Sequence, residues 1–261
     1  MVVTEYVLSR YEAEELERER LELLQRFHDP LSNRLFDAIG VAEGWRCLDV
    51  GAGGGSSTRL LAQRVGAAGC VVATDLDTRL LEPLAGDRVE VVQHDLLVDP
   101  LPEAEFDLAH IRLVLMHLPS RLDVLRRIVA SLRPGGWLAV IDVDFTDVRV
   151  SPATPASQRT WSAFLDAIAA AGWDPSYGSR LYRNLEALEL EEIEAEYLVS
   201  EGHAGERTRL VGLTLERLRT RMVEFGALDE DVDDARRLLE DPAVRFRSPM
   251  SILARARRPL D

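Results

Sequence analysis

Asp49-Val50-Gly51-Ala52-Gly53-Gly54-Gly55 decides the fold. It closes a short, mostly apolar run, Trp45-Arg46-Cys47-Leu48-Asp49-Val50, and opens a stretch with Leu60, Leu61 and Val65 at helical spacing. In an open α/β sheet, ligands bind beyond the carboxyl ends of strands. Glycines there let the backbone turn tightly and let a ligand approach without a Cβ in the way. The same cluster can also serve only to pack a helix on a strand, so its surroundings decide between the two.

Outward from the cluster, the alternation of strand and helix continues. Residues 70–74 read as a strand ending at Asp75, and 78–84 as a short helical stretch. Residues 88–93 form a strand ending at His94-Asp95, and 106–111 form another. A helix over 121–132 stops at Pro134-Gly135-Gly136, and 137–143 is a fifth strand. Short buried runs between helices imply βαβ units with right-handed crossovers. Upstream, 12–27 predicts an amphipathic helix ended near Asp29-Pro30. Leu31, Leu35 and Ile39 predict a second short helix. Downstream, helices are expected over 158–171, near 179–189, and over 207–226 and 229–240, with strands over 193–199 and 247–256. Residues 201–246 are too long for a simple hairpin connection and read as an inserted helical pair, either a lid or a homodimer interface.

Composition narrows the function classes. The chain has 261 residues, 46% hydrophobic and 29% charged, which suits a globular protein with a substantial core. All 31 basic residues are Arg, with no Lys. That removes Schiff-base chemistry, the Walker A loop and Tyr-x-x-x-Lys reductases together. It also fits a GC-rich bacterial source. The net charge of −14 argues against nucleic acid and anionic membranes as partners. No apolar run approaches the ~20 residues of a membrane span. Met1-Val2-Val3-Thr4-Glu5-Tyr6 lacks the pattern of a secretory signal, so a cytoplasmic location is expected. Cys47 and Cys70 read as buried thiols of a reducing compartment.

The dinucleotide fingerprint G-x-G-x-x-G fails in both registers, because position 56 is Ser56 and position 58 is Thr58. The pattern present is D-x-G-x-G-x-G. Asp75 follows Asp49 by 26 residues, and Asp95 follows Asp75 by 20. A carboxylate at the second strand end can accept both hydroxyls of a ribose. One at the third can accept from an adenine amine. Three acids at successive strand ends suit a ligand with a diol, an adenine and a cation, and do not suit a phosphate-rich one. Singly, Asp75 or Asp95 reads more often as a helix N-cap than as a ligand contact; the three acids together with the glycine loop favour the ligand.

On these motifs the sequence resembles the class I S-adenosylmethionine (SAM)-dependent methyltransferases over roughly residues 12–145. The resemblance implies an α/β fold: a Rossmann-like, doubly wound, mostly parallel seven-stranded sheet, with N-terminal helices and a helical insertion before the last strand. It implies one methyltransferase-like domain over 1–261, with a helical lid (1–43), a cofactor-binding core (44–145) and a substrate-side half (146–261). Gly51, Gly53 and Gly55 would form the loop beside the methionine moiety, oriented by Asp49. Asp75 would hold the ribose, with Leu76 under the adenine, and Asp95 and Leu96 would meet the adenine edge. His110 and Ile111 would lie against the methionine portion, and Arg20 and Gln25 would reach the cofactor from the lid. The interrupted hairpin before the last strand departs from the family pattern and leaves the acceptor pocket undefined.

His117, just past the fourth strand, is the candidate general base, against the reading of a histidine packed at a helix end. His94 and His110 fall in the cofactor segments, and His28 and His203 have no supporting context. No spacing suggests a metal site. Trp161, Phe164, Trp173, Tyr177 and Tyr182 could line an acceptor pocket or simply pack a helix. The Arg-rich 207–221 stretch alternates with apolar residues and reads as a solvated helix face with a buried stripe. The expected activity is SAM-dependent methyl transfer to an O or N atom of a small molecule. The alternatives are a non-methylating reaction, such as cyclisation or isomerisation, on the same fold, and a SAM-binding regulator. A nicotinamide oxidoreductase is disfavoured by Ser56 and the absence of Lys.

Overall fold

The computed structural model describes residues 14–260. The segment read for a signal, and the start of the helix expected from residue 12, lie outside the described residues. Along the chain run α1 (Glu14–Ile39), β1 (Arg46–Val50), α2 (Ser56–Val65), β2 (Cys70–Asp75), β3 (Val89–Gln93), β4 (Phe106–Arg112), α3 (Arg121–Ser131) and β5 (Leu132–Asp144). Then come β6 (Arg149–Ser151), α4 (Pro155–Ala170), α5 (Gly178–Glu186), β7 (Glu191–Leu198) and β8 (Glu201–Gly202). The chain closes with α6 (Glu206–Glu224), α7 (Asp229–Glu240), β9 (Arg245–Arg247) and β10 (Met250–Arg257).

These elements divide into two compact units. The sheet unit comprises Phe27–Val143, Tyr177–Leu198 and Ser251–Asp261. The helical unit comprises the described part of Met1–Arg26, with Asp144–Ser176 and Val199–Met250.

The sheet unit holds seven strands in the order β3-β2-β1-β4-β5-β10-β7. Pairing is parallel from β3 through β5, and β10 is antiparallel to β7. The chain goes from β1 outward to β3, then returns to place β4 on the other side of β1. The strand order therefore reverses between β1 and β4, the place where such sheets bind ligands. Cys47, Leu48 and Val50 in β1, Leu108, Ala109 and Ile111 in β4, and Leu138 to Ile141 in β5 are all buried. Such unbroken apolar runs mark strands covered on both faces. Leu61 and Val65 of α2 and Leu35 and Phe36 of α1 fill the same core.

In the helical unit, α4, α6 and α7 share a core of Phe164, Leu218, Met222, Val232 and Leu239. Trp161 stacks on Phe164 at 4.7 Å between ring centroids, and Phe145 meets that ring edge-on at 5.6 Å. A three-stranded antiparallel sheet, β6-β9-β8, belongs to this unit.

Four expectations need correction. The two N-terminal helices are one, α1, with Pro30 inside it. Proline removes one i→i−4 bond, here the one to the Arg26 carbonyl. Apolar positions continue in phase on both sides of it. The stretch 78–84 is two 3₁₀ turns, Thr78–Leu80 and Glu82–Leu84. The last strand begins at Met250, because Arg245–Arg247 leaves the main sheet to pair with β6 and β8. The fifth strand starts early, at Leu132.

Phe36 is fully buried, edge-on to His110 at 5.0 Å and beneath the Arg64 guanidinium at 5.6 Å. Phe36→Ala should lower stability by about 3–5 kcal/mol, read as a lower urea midpoint at unchanged slope.

Candidate functional site

The glycine loop is held in shape from below by a buried carboxylate. Asp49, near the end of β1, is almost wholly buried. Its Oδ2 accepts from Ser57 Oγ at 2.8 Å and from Thr58 Oγ1 at 2.7 Å, and its Oδ1 bonds His110 Nδ1 at 2.8 Å. Burial alone would raise its pKa. The bonds from His110, Thr58 and Ser57 outweigh that and hold it below the usual carboxylate range. A fixed anion thus ties the start of α2 to β1 and to β4.

The network continues through His110. Its Nε2 lies 3.3 Å from Ser32 Oγ, and Ser32 Oγ accepts from Arg112 Nη1 at 3.1 Å. The Asp49 carboxylate only accepts, so the His110 ring carries a proton on Nδ1, facing it. Arg112 also donates to Asp29 Oδ1 at 2.9 Å and to Ser56 Oγ at 2.7 Å. Ser56 in turn donates to Asp29 at 2.7 Å. One chain of polar groups thus joins α1, α2 and β4 under the loop.

Above it, the loop is open. Gly51, Gly53 and Gly55 have φ of 63°, 55° and 71°, the left-handed region. A Cβ on Gly51 would sit 2.4 Å from Val114 Cγ2, so that position is closed by packing. A Cβ on Gly53 would meet no atom within 4 Å. The Gly53 N–H donates to Asp75 Oδ2 at 2.8 Å, and the Asp77 N–H donates to Oδ1 at 3.1 Å. Burial raises the Asp75 pKa, opposed by the amides of Asp77, Gly53 and Leu76. Leu76, next in sequence, is 40% exposed. Asp95 lies just past β3, the neighbour of β2. Its Oδ1 accepts from the Leu97 amide at 2.8 Å, so it shapes its own turn, and Leu96 is half-buried beside it.

Of the expected site residues, Asp49, Gly51, Gly53, Gly55, Asp75, Leu76, Asp95, Leu96, His110 and Ile111 all lie at or near the carboxyl ends of β1 to β4. The side chains of His110 and Ile111 are buried, and the His110 ring is engaged by Asp49 and Ser32. Arg20 and Gln25 belong to the helical unit, where Arg20 Nε and Nη2 are both held by Glu17 at 2.8 Å. Trp161, Phe164 and Trp173 are helical-unit packing. Tyr177 is buried, with Arg121 over its ring at 5.2 Å. All four make packing contacts, the second of the two readings given for them.

Leu113 has φ of 57°, an uncommon value outside glycine, where the chain leaves β4. The segment that follows contains a single 3₁₀ turn, Leu115–His117. The Met116 N–H donates to Asp142 Oδ2 at 3.1 Å. Arg121 Nε and Nη2 donate to the carbonyls of Leu115 and Met116 at 2.9 and 3.0 Å. His117 is half-buried on this turn. Sequence reasoning missed Asp142, Arg112, Ser32 and Asp29. The hydroxyls Ser57 and Thr58, directly after the glycines, were the one local signal available.

A family model described as "Methyltransferase domain" matches residues 48–140, from β1 into β5. Methyltransferase str2 of Strobilurus tenacellus is 31% identical over 188 residues, covering 70% of this chain and 66% of the relative. These matches support a class I SAM-dependent methyltransferase, with residues 48–140 matching the methyltransferase domain. Other family members align over the core: the ubiquinone/menaquinone biosynthesis C-methyltransferase UbiE of Ectopseudomonas mendocina is 35% identical over 111 residues. That match covers 40% of this chain and 43% of UbiE. Both matches span less than two thirds of the relatives' lengths. The solved structure of the [4+2]-cyclase SpnF superposes with a TM-score of 0.58 over 89% of this chain and 82% of its own, at 19% identity. It shares the fold.

SAM is the cofactor of this family, and the residues present fit it. Gly53 leaves the loop face open, Asp75 sits at a strand end beside exposed Leu76, and Asp95 lies one strand further on. Among the described residues, no cluster of His, Cys, Asp or Glu could hold a metal ion, and no helix is long and apolar enough to cross a membrane.

Burial pushes Asp142 up to about 7, against the Val143 and Met116 amides and the Arg121 charge. The folded protein therefore holds a proton that the unfolded chain releases near its ordinary 3.8. The associated stability is full below about pH 4 and is lost as pH rises through about 7. Asp142→Asn mimics the protonated group. Its melting temperature should exceed that of the parent at pH 8, and the gap should shrink at pH 5.

Proposed function

We propose that this protein catalyses SAM-dependent methyl transfer to an O or N atom of a small molecule. The observation that carries the reading is the loop itself: three left-handed glycines at the switch point, anchored by Asp49 and open at Gly53 above Asp75. The bound cofactor supplies an activated methyl group on a sulfonium. Asp49 holds the loop and Asp75 takes the ribose hydroxyls. Leu76 covers one face of the adenine, and Asp95 with the Leu96 amide meets its edge. The Ile111 backbone and the His110 backbone border the methionine portion. Because the methyl is already activated, the chain's main task is to align the acceptor. Orientation of this kind supplies about 7–11 kcal/mol of barrier lowering.

His117 is the proposed base, taking a proton from the acceptor hydroxyl or amine at a ring nitrogen. Such assistance contributes about 10²–10⁴-fold. Asp142 and Arg121 fix the turn that carries it. One functional domain over 1–261 is part of the same proposal, with a lid (1–43), a cofactor-binding core (44–145) and a substrate-side half (146–261) that includes the 201–246 insertion. A cytoplasmic location and a bacterial source remain part of this reading, supported by the charge and the all-Arg composition.

Asp75→Ala should weaken SAM and S-adenosylhomocysteine (SAH) binding at least ten-fold by calorimetry, while Asp107→Ala, at the start of β4, should not. His117→Ala should lower the rate of methyl gain on a screened acceptor and leave SAH affinity unchanged. Retained SAH binding with no one-methyl mass gain across hydroxyl and amine libraries would overturn methyl transfer in favour of a non-methylating reaction.

A further inference from the structure

The polar network under the glycine loop has two layers. The inner one is Asp49, Ser57, Thr58, His110 and Ser32, all buried. Asp49 has both oxygens engaged there, Oδ2 by two hydroxyls and Oδ1 by the His110 ring. It is closed to a ligand. The outer layer is Asp29, Ser56 and Arg112. The last β1–β4 pair is Val50 with Ile111, so Arg112 stands one residue beyond it, on the same face of β4 as His110. Ser56 directly follows Gly55. Both layers belong to the sheet unit.

The outer layer is open where the inner one is closed. The Arg112 side chain is 12% exposed and that of Asp29 is 29% exposed. Ser56 Oγ and Arg112 Nη1 both donate to Asp29 Oδ1, and Oδ2 makes no bond among the described residues. Arg112 spends Nη1 on Asp29 and Ser32 and Nη2 on Ser56, and its Nε makes no bond among the described residues. The pair therefore holds an acceptor oxygen and a donor N–H in reserve, at the switch point and next to the last glycine of the loop.

The amino-acid end of SAM carries an ammonium and a carboxylate. Each needs a partner of opposite sign on leaving water, because a buried unpaired charge is costly. Asp49 has no oxygen left for the ammonium. Asp75 and Asp95 lie on the β2–β3 side of β1, while Arg112, with Asp29 bonded to it, lies on the β4 side. A ligand with its adenosine at β2 and β3 directs its amino-acid end toward β4. A carboxylate beside a guanidinium presents the complementary order of charges there, and charge-assisted bonds are about twice as strong as neutral ones.

We propose that Asp29 and Arg112 determine specificity for the cofactor's amino-acid end. Asp29 accepts from the ammonium through Oδ2, and Arg112 donates to the carboxylate through Nε. The site thereby selects sulfur nucleosides that carry an amino acid over those that lack one. The proposal rests on SAM as the cofactor, and is independent of the acceptor and of the reaction catalysed.

The test is calorimetric titration of the full chain with four ligands. They are SAH, SAH analogues lacking the carboxylate or the ammonium, and 5′-methylthioadenosine, which lacks both. The parent should bind SAH at least ten-fold more tightly than any of the other three. Asp29→Asn should lose about ten-fold in SAH affinity and leave the ammonium-free analogue and 5′-methylthioadenosine within about two-fold. Arg112→Met should lose as much for SAH and leave the carboxylate-free analogue and 5′-methylthioadenosine within the same margin. Arg112→Lys should recover part of the loss. A pair that only held α1 to the loop would, when broken, weaken all four ligands alike, and that result would overturn the proposal. So would SAH affinity indifferent to both substitutions, or equal parent affinity for SAH and 5′-methylthioadenosine. Should Arg112→Met not fold, the nearly isosteric Asp29→Asn decides alone. Folded parent protein that bound none of the four would overturn the cofactor assignment itself, and this proposal with it.

Discussion

Beneath the glycine loop, the Asp49 carboxylate is a charge taken out of water, and it can stay there only if donors surround it. Ser57 and Thr58 come from the first turn of α2, and His110 comes from β4. Each donor fixes one element relative to β1. The loop between them has little choice of path, and glycines are what that path tolerates. His110 passes the constraint on to Ser32 and Arg112, so α1 joins the same network. Removing the carboxylate would leave two hydroxyls and a ring nitrogen unsatisfied at the point where the strand order reverses.

The sheet around that anchor was largely legible in the sequence. Short apolar runs separated by helical spacing gave β1 to β5 within a few residues, because strands buried on both faces carry an unbroken apolar signature. The acids at the strand ends were legible for the same reason, since the runs stop where they begin. What failed was decided by contacts remote in sequence. Pro30 reads as a helix stop, yet the helix continues through it, because Leu35, Phe36 and Ile39 bury in phase beyond it. Arg247 reads as the start of the last strand, but it pairs with β6 and β8. Arg112 is 83 residues from Asp29, and no local pattern announces such a pair.

The same buried electrostatics links the two ends of the proposed chemistry. At the ends of β1 to β3, Asp49, Asp75 and Asp95 gather negative charge, which would repel phosphate. At the β4–β5 side, Asp142 and Arg121 spend their bonding on one short turn and its His117. In the helical unit, Arg20 and Arg217 both pair with Glu17.

The most direct measurement of the central claim is calorimetric titration of the folded, wild-type chain with SAM and with SAH, using NADH as the comparator. The account predicts saturable one-to-one binding of both sulfur ligands and no heat from NADH beyond dilution. Binding of NADH in their place, or of none of the three by folded protein, would contradict it. The loop above Asp49 would then be a structural turn or the site of another nucleotide.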